Sequence, residues 1–151
     1  MVQVLLEQLG LWMVNARAKG AAFERECAKK INAMLETTHI KDRVSRNLNQ
    51  YQEKNQPDLK LRYIYFECKN YARNSNNWYQ EKWWRQVCEA AGDENTPILI
   101  FKFNHLPIRV AFPLSMLNSN ICDRNYHHPV AFTSFDEFLD ILKYEVQTWK
   151  S

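Results

Sequence analysis

Residues 57 to 69 read Pro-Asp-Leu-Lys-Leu-Arg-Tyr-Ile-Tyr-Phe-Glu-Cys-Lys, and this stretch decides the fold. From Tyr63 to Lys69 nearly every residue is aromatic, β-branched or apolar, which predicts a strand inside a sheet. Side chains on a strand alternate faces, so Glu67 and Lys69 share one face, while Ile64, Phe66 and Cys68 turn the other way, into a core. A carboxylate and an ammonium group on an otherwise apolar strand are costly unless they have a task. Asp58 follows a structure-breaking proline, and a tight hairpin between the two motifs returns it to the same end of the sheet. Asp, Glu and Lys converging on one point suit Mg²⁺-dependent phosphodiester hydrolysis. Oxygen ligands hold the hard cation, the metal activates water, and a lysine positions that water or steadies the developing charge. On these residues alone an edge strand with a surface Glu/Lys pair is the competing reading.

The 151 residues are enough for one domain with a proper core. Apolar content of 46% and charged content of 25% are ordinary for a globular chain. A net charge of +3 does not announce a nucleic-acid binder. Its distribution says more: from Arg17 to Arg62 there are eleven Lys/Arg against six Asp/Glu. Such a positive segment suits a phosphate backbone, and equally a solvated helix face. Cys27, Cys68, Cys88 and Cys122 have no metal-ligand spacing, and the first three fall at apolar positions of the expected elements, which predicts buried free thiols there in a reducing compartment. The apolar start, Met1 to Val14, lacks a basic leader and a cleavage site, and it is too short and polar to span a bilayer. A cytosolic protein is expected.

Val2, Leu5, Leu6, Leu9, Trp12, Met13 and Ala16 form the stripe of an amphipathic helix. Asn15 to Gly20 reads as a polar link to a second helix from about Ala21 to Leu35, with Phe23, Cys27, Ala28, Ile31, Met34 and Leu35 facing inward. Glu24 lies on the edge of that buried stripe. A first-turn glutamate favours the helix dipole, but that does not explain an inward carboxylate. A strand is predicted from Arg43 to Leu48, an exposed loop from Asn49 to Gln56, and a helix from Trp78 to Ala91. Strands follow at Pro97 to Phe103 and Ile108 to Phe112, then an irregular stretch from Ser115 to Pro129. Ser134 and Glu137 form a capping box for a last helix. His127-His128 invites a metal reading, but no Cys, Asp or further His stands at ligand spacing.

Pro57-Asp58 followed by Glu67-Cys68-Lys69 resembles the signature of the PD-(D/E)XK nuclease superfamily. Lys19-Gly20-Ala21-Ala22-Phe23-Glu24-Arg25-Glu26 is similar to the opening helix of archaeal and phage Holliday-junction resolvases. Trp83-Trp84-Arg85-Gln86 and the strands after it resemble phage-encoded members of the same class. Together these motifs span roughly residues 18 to 115. The resemblance implies an α/β fold with a restriction-endonuclease-like mixed central sheet flanked by helices. It divides the chain into an extra N-terminal amphipathic helix, 1–16, and a single nuclease domain, 17–151. It further implies that Glu24, Asp58, Glu67 and the main-chain carbonyl of Cys68 hold Mg²⁺, with Mn²⁺ able to substitute. Lys69 would orient or deprotonate the attacking water, with Gln86 beside the site. Arg46, Arg85, Lys19 and the loop after Arg46 would approach DNA. That loop is longer than the family's usual connection. The implied partner is branched or junction DNA, cut in the cytosol of a host cell if the chain is virus- or prophage-encoded. A junction's two-fold symmetry calls for a homodimer, and the N-terminal helix is the candidate interface. The alternatives are a restriction-type enzyme or repair nickase of the same fold, and a catalytically silent DNA-binding module.

Overall fold

The structure, a computed structural model, describes residues 1–48 and 55–151. Its mixed sheet has the order β1-β2-β3-β4-β5-β6: Ser45–Arg46, Leu59–Leu61, Ile64–Tyr71, Thr96–Phe103, Arg109–Pro113 and Val130–Ser134. Among the described residues only β3 and β4 pair in parallel. They are also the pair joined by a helix, α2 (Glu81–Ala91), because a parallel pair needs a long crossover where antiparallel neighbours need only a turn. One face of the sheet, with Phe66, Cys68, Ile98, Ile100, Val110 and Phe112, packs in a single core with α1 (Val2–Leu35) and α3 (Phe135–Gln147). On the opposite face Leu99, Phe101, Phe103 and Ala111 pack against Trp83, Trp84, Val87 and Cys88 of α2. Being covered on both faces is why β4 reads as an unbroken apolar run. The expected α/β fold, a mixed central sheet with flanking helices, is present.

Local signals set the ends of several elements. The Ser134 hydroxyl accepts the Glu137 amide N–H and starts α3. Gly92 ends α2 at φ 62 and ψ −155, a region that is essentially glycine's alone. The β2–β3 hairpin turns on Arg62-Tyr63, with Leu61 opposite Ile64. Arg62 sits at φ 50, an uncommon backbone state for a side-chain-bearing residue. Its guanidinium forms a forked pair with Asp42, Nε to Oδ2 at 2.9 Å and Nη2 to Oδ1 at 3.0 Å, and lies 4.8 Å from the Trp149 ring centre. This clamp fixes the hairpin that carries both halves of the motif.

Three differences from the sequence expectation have physical causes. First, α1 is one helix rather than two with a link at Asn15 to Gly20. Ala16, Ala18, Ala21 and Ala22 are strong helix formers, no proline intervenes, and Gly10 and Gly20 each cost only about 1 kcal/mol. At 1.5 Å per residue the helix is about 51 Å long. Its second half buries Phe23, Cys27, Ile31 and Leu35, while the apolar side chains of its first half, from Val2 to Met13, are exposed. Second, β6 occupies Val130–Ser134, which the sequence left unassigned. None of its residues is fully buried, so it carries no clear apolar alternation. Third, the strand expected at Arg43 to Leu48 is only Ser45–Arg46, and α2 starts at Glu81 rather than Trp78.

Candidate active site

β2 is short, and its ladder with β3 ends where Leu59 meets Phe66. On that side, the edge of β3 from Glu67 to Tyr71 therefore has no strand beside it among the described residues. Asp58 stands at that gap. Its amide N–H donates to the Phe66 carbonyl at 3.0 Å, and its Oδ2 accepts the Cys68 amide N–H at 2.8 Å. The carboxylate thus continues the ladder where β2 stops, which brings it beside Glu67.

Glu67 points toward α2, as the period of two requires. Its Oε1 accepts from Lys69 Nζ at 2.9 Å and from Gln86 Nε2 at 2.8 Å, and Lys69 Nζ also donates to Gln86 Oε1 at 2.9 Å. The three side chains close a ring of hydrogen bonds. From the opposite side α1 supplies Glu24, whose Oε2 accepts from Arg46 Nε at 2.6 Å. Glu24 lies deep inside a helix that begins at Val2, so first-turn stabilisation cannot account for it. Glu24, Asp58 and Glu67 are 6%, 8% and 3% exposed, and are the buried charged residues among those described.

Crowding carboxylates in a dry place raises their proton affinity. Burial, then the Glu67 charge, pushes Asp58 up to about 8. Burial likewise raises Glu67, against the pull of Lys69. For Lys69, burial works downward, but the Glu67 charge and hydrogen bond outweigh it, so its ammonium stays protonated. The resulting oxygen-only donor set, two or three carboxylates and a main-chain carbonyl, suits a hard divalent cation that would relieve the repulsion. Among the described residues, however, no three His, Cys, Asp or Glu side chains already form a metal-holding group. Glu24 is held by Arg46 and Glu67 by Lys69.

A cleft of about 620 Å³ opens over the gap, lined by Glu24, Asp58, Glu67, Cys68 and Lys69 among others. Lys19 lines it too, its ammonium on the Asn104 side-chain oxygen. Arg85 is not brought to it: its guanidinium lies 3.8 Å from Glu81 and over the Tyr126 ring. Of the loop expected to approach DNA, residues 49–54 lie outside the described residues. His127 has an aspartate partner after all, Asp123 four residues before it, with Nδ1 and Oδ2 3.0 Å apart. Cys27, Cys68 and Cys88 are buried free thiols, and Cys122 is an exposed one. Sequence reasoning missed Trp12, Tyr71 and Asn104, all in the cleft wall. The Asn104 amide N–H donates to the Tyr71 carbonyl at 2.9 Å. The β3-α2-β4 order was the available signal, since a parallel crossover sets the two strand ends side by side.

A mixed sheet with flanking helices, bearing Pro57-Asp58 and Glu67-Cys68-Lys69 on one hairpin, has the architecture of the PD-(D/E)XK nucleases. The family described as "Phage putative PDDEXK endonuclease" matches residues 15–151, and the chain belongs to that family. No curated protein and no solved structure matches the chain. Membership implies hydrolysis of phosphodiester bonds in DNA, and PD-(D/E)XK proteins typically depend on a metal ion. Among the described residues no helix is long and apolar enough to cross a membrane.

Proposed function

We propose that the chain is a Mg²⁺-dependent endonuclease that cuts branched DNA as a homodimer. Asp58, Glu67, Glu24 and the Cys68 carbonyl would be its metal ligands. The observation that carries this reading is the buried Asp58–Glu67 pair with the Lys69 ammonium 2.9 Å from Glu67. A bound cation supplies Lewis acidity toward the scissile phosphate and lowers the pKa of water. Asp58 and Glu67 direct their charge at the gap beside β3. Lys69, held protonated by Glu67, orients the attacking oxygen by donating a hydrogen bond and does not take its proton. Gln86 donates to Glu67 and accepts from Lys69, which fixes both side chains. Arg46 acts as the counter-ion of Glu24, and with a cation held by Glu24 its guanidinium would serve a phosphate oxygen.

The ion series tests the ligand set. Mn²⁺ is expected to replace Mg²⁺, and Ca²⁺ to support DNA binding without cutting, because it accepts loose geometry and activates water poorly. Fluorescence anisotropy and product gels in each ion give the answer. Ca²⁺ cleavage at the Mg²⁺ rate would contradict the assignment.

Branched DNA as substrate rests on the resolvase-like stretch Lys19 to Glu26. The dimer is supported by α1, where exposed Val2, Leu5, Leu6, Leu9 and Met13 recur at spacings of three and four, as along the seam of a two-helix coiled coil, with Trp12 at the edge of that stripe. A helix standing clear of its domain is marginal in water unless something packs on it. Leu5→Glu combined with Leu9→Glu is expected to convert a dimer to a monomer by light scattering at micromolar concentration. A monomeric full-length protein, alone and on junction DNA, would count against the dimer.

A further inference from the structure

We propose that the cleft holds an unpaired nucleotide stacked between Tyr71 and Trp12, so that its substrate is DNA with single-stranded or branch-point nucleotides. The proposal rests on the reading of this cleft as the nuclease site and adds the class of DNA it takes.

Tyr71 ends β3 on the face turned toward α2. One face of its ring is stacked on Trp83, with centroids 5.0 Å apart and planes 14° apart, and Trp83 itself is only 2% exposed. Tyr71 is nonetheless 46% exposed and lines the cleft. It is a half-exposed ring with a rigid backing. Trp12 lines the same cleft from α1, which packs on the other face of the sheet, and it is 69% exposed. Two large aromatics thus flank the open edge of β3, and neither is buried in a core.

The groups around them complement a nucleotide. Lys19 and Arg73 are both fastened to Asn104, Arg73 through Nε to its carbonyl at 2.9 Å, and Lys69 lies below them on β3. These are cations for phosphates. Asn70, next to Tyr71 and in the cleft wall, has a buried side-chain oxygen that finds no hydrogen-bond donor among the described residues. Cations along a backbone path with aromatic platforms between them are how single strands are held. Bases within a continuous duplex are stacked on each other and offer no face to Tyr71 or Trp12, whereas an unpaired base does.

The test is anisotropy with full-length protein in chelator, so that binding is read without cleavage. The probes are a single strand, a forked duplex and a continuous duplex of equal length. The wild type is expected to bind the fork and the single strand at least tenfold more tightly than the duplex. Tyr71→Leu and Trp12→Ala should each weaken fork binding about tenfold, the effect of losing one base–aromatic stack. Duplex binding should stay within about twofold, and Tyr71→Phe, which keeps the ring, should bind the fork as the wild type does. Equal losses on fork and duplex, or no loss on either, would overturn the proposal. If the nuclease reading alone is wrong, the fork preference persists while Mg²⁺ produces no cleavage.

Discussion

Glu67→Ala and Lys69→Ala are each expected to lower Mg²⁺-dependent cleavage by roughly a thousandfold or more, the scale on which removing a metal ligand or a positioned proton-bearing group acts. Neither residue belongs to the apolar core, so both variants should fold. Their stabilities without metal should move in opposite directions. Glu67→Ala removes a charge that presses on Asp58 and leaves Lys69 hydrogen-bonded to Gln86. Lys69→Ala strips a buried carboxylate of its cation, a loss on the order of a few kcal/mol. Single-turnover cleavage paired with thermal melts in chelator reads both effects. A variant cutting at the wild-type rate would remove that residue from the site.

Asp58→Asn should abolish cleavage as well, and should stabilise the metal-free protein at pH 8. With a folded pKa of about 8 against an ordinary aspartate value of 3.8, Asp58 binds a proton in the folded state over a range where the unfolded chain has released it. The sign follows: the metal-free wild type loses stability from this group as pH rises from about 4 to about 8. Glu67, also raised, acts in the same direction. Asparagine keeps an oxygen for the Cys68 N–H and cannot ionise. At pH 8 it is expected to gain on the order of a few kcal/mol, or several degrees in Tm. The difference between variant and wild type should shrink toward pH 4, and Mg²⁺ should raise the Tm of the wild type alone. A difference that grows toward acid pH would contradict the electrostatic account.

Strand β3 was legible because its pattern is local. Alternation alone sets Glu67 and Lys69 on one face of β3 and Cys68 on the other, and the hairpin that returns Asp58 needs only a few residues. The capping box at Ser134 is local in the same way. The continuity of α1 was not legible, because the polar, glycine-containing stretch from Asn15 to Gly20 looks like a link until alanine propensity is weighed across it. The same misreading put Glu24 in a first turn. β6 escaped because an edge strand that is only half-buried carries no apolar period. Trp12, Tyr71 and Asn104 come from three distant parts of the chain, and only the parallel crossover and the long helix bring them together. Arg85 shows the converse: a basic residue one position from Gln86 lies on another side of α2, because neighbours on a helix point about 100° apart.

The most direct measurement is the conversion of supercoiled plasmid by the wild-type protein, with Mg²⁺ and with excess chelator, followed over the same time course. Nicked or linear product with Mg²⁺ and none with chelator is the predicted result. Equal cleavage in chelator, or no cleavage of plasmid, fork or junction in Mg²⁺ or Mn²⁺, would contradict a metal-dependent nuclease built on Asp58, Glu67 and Lys69.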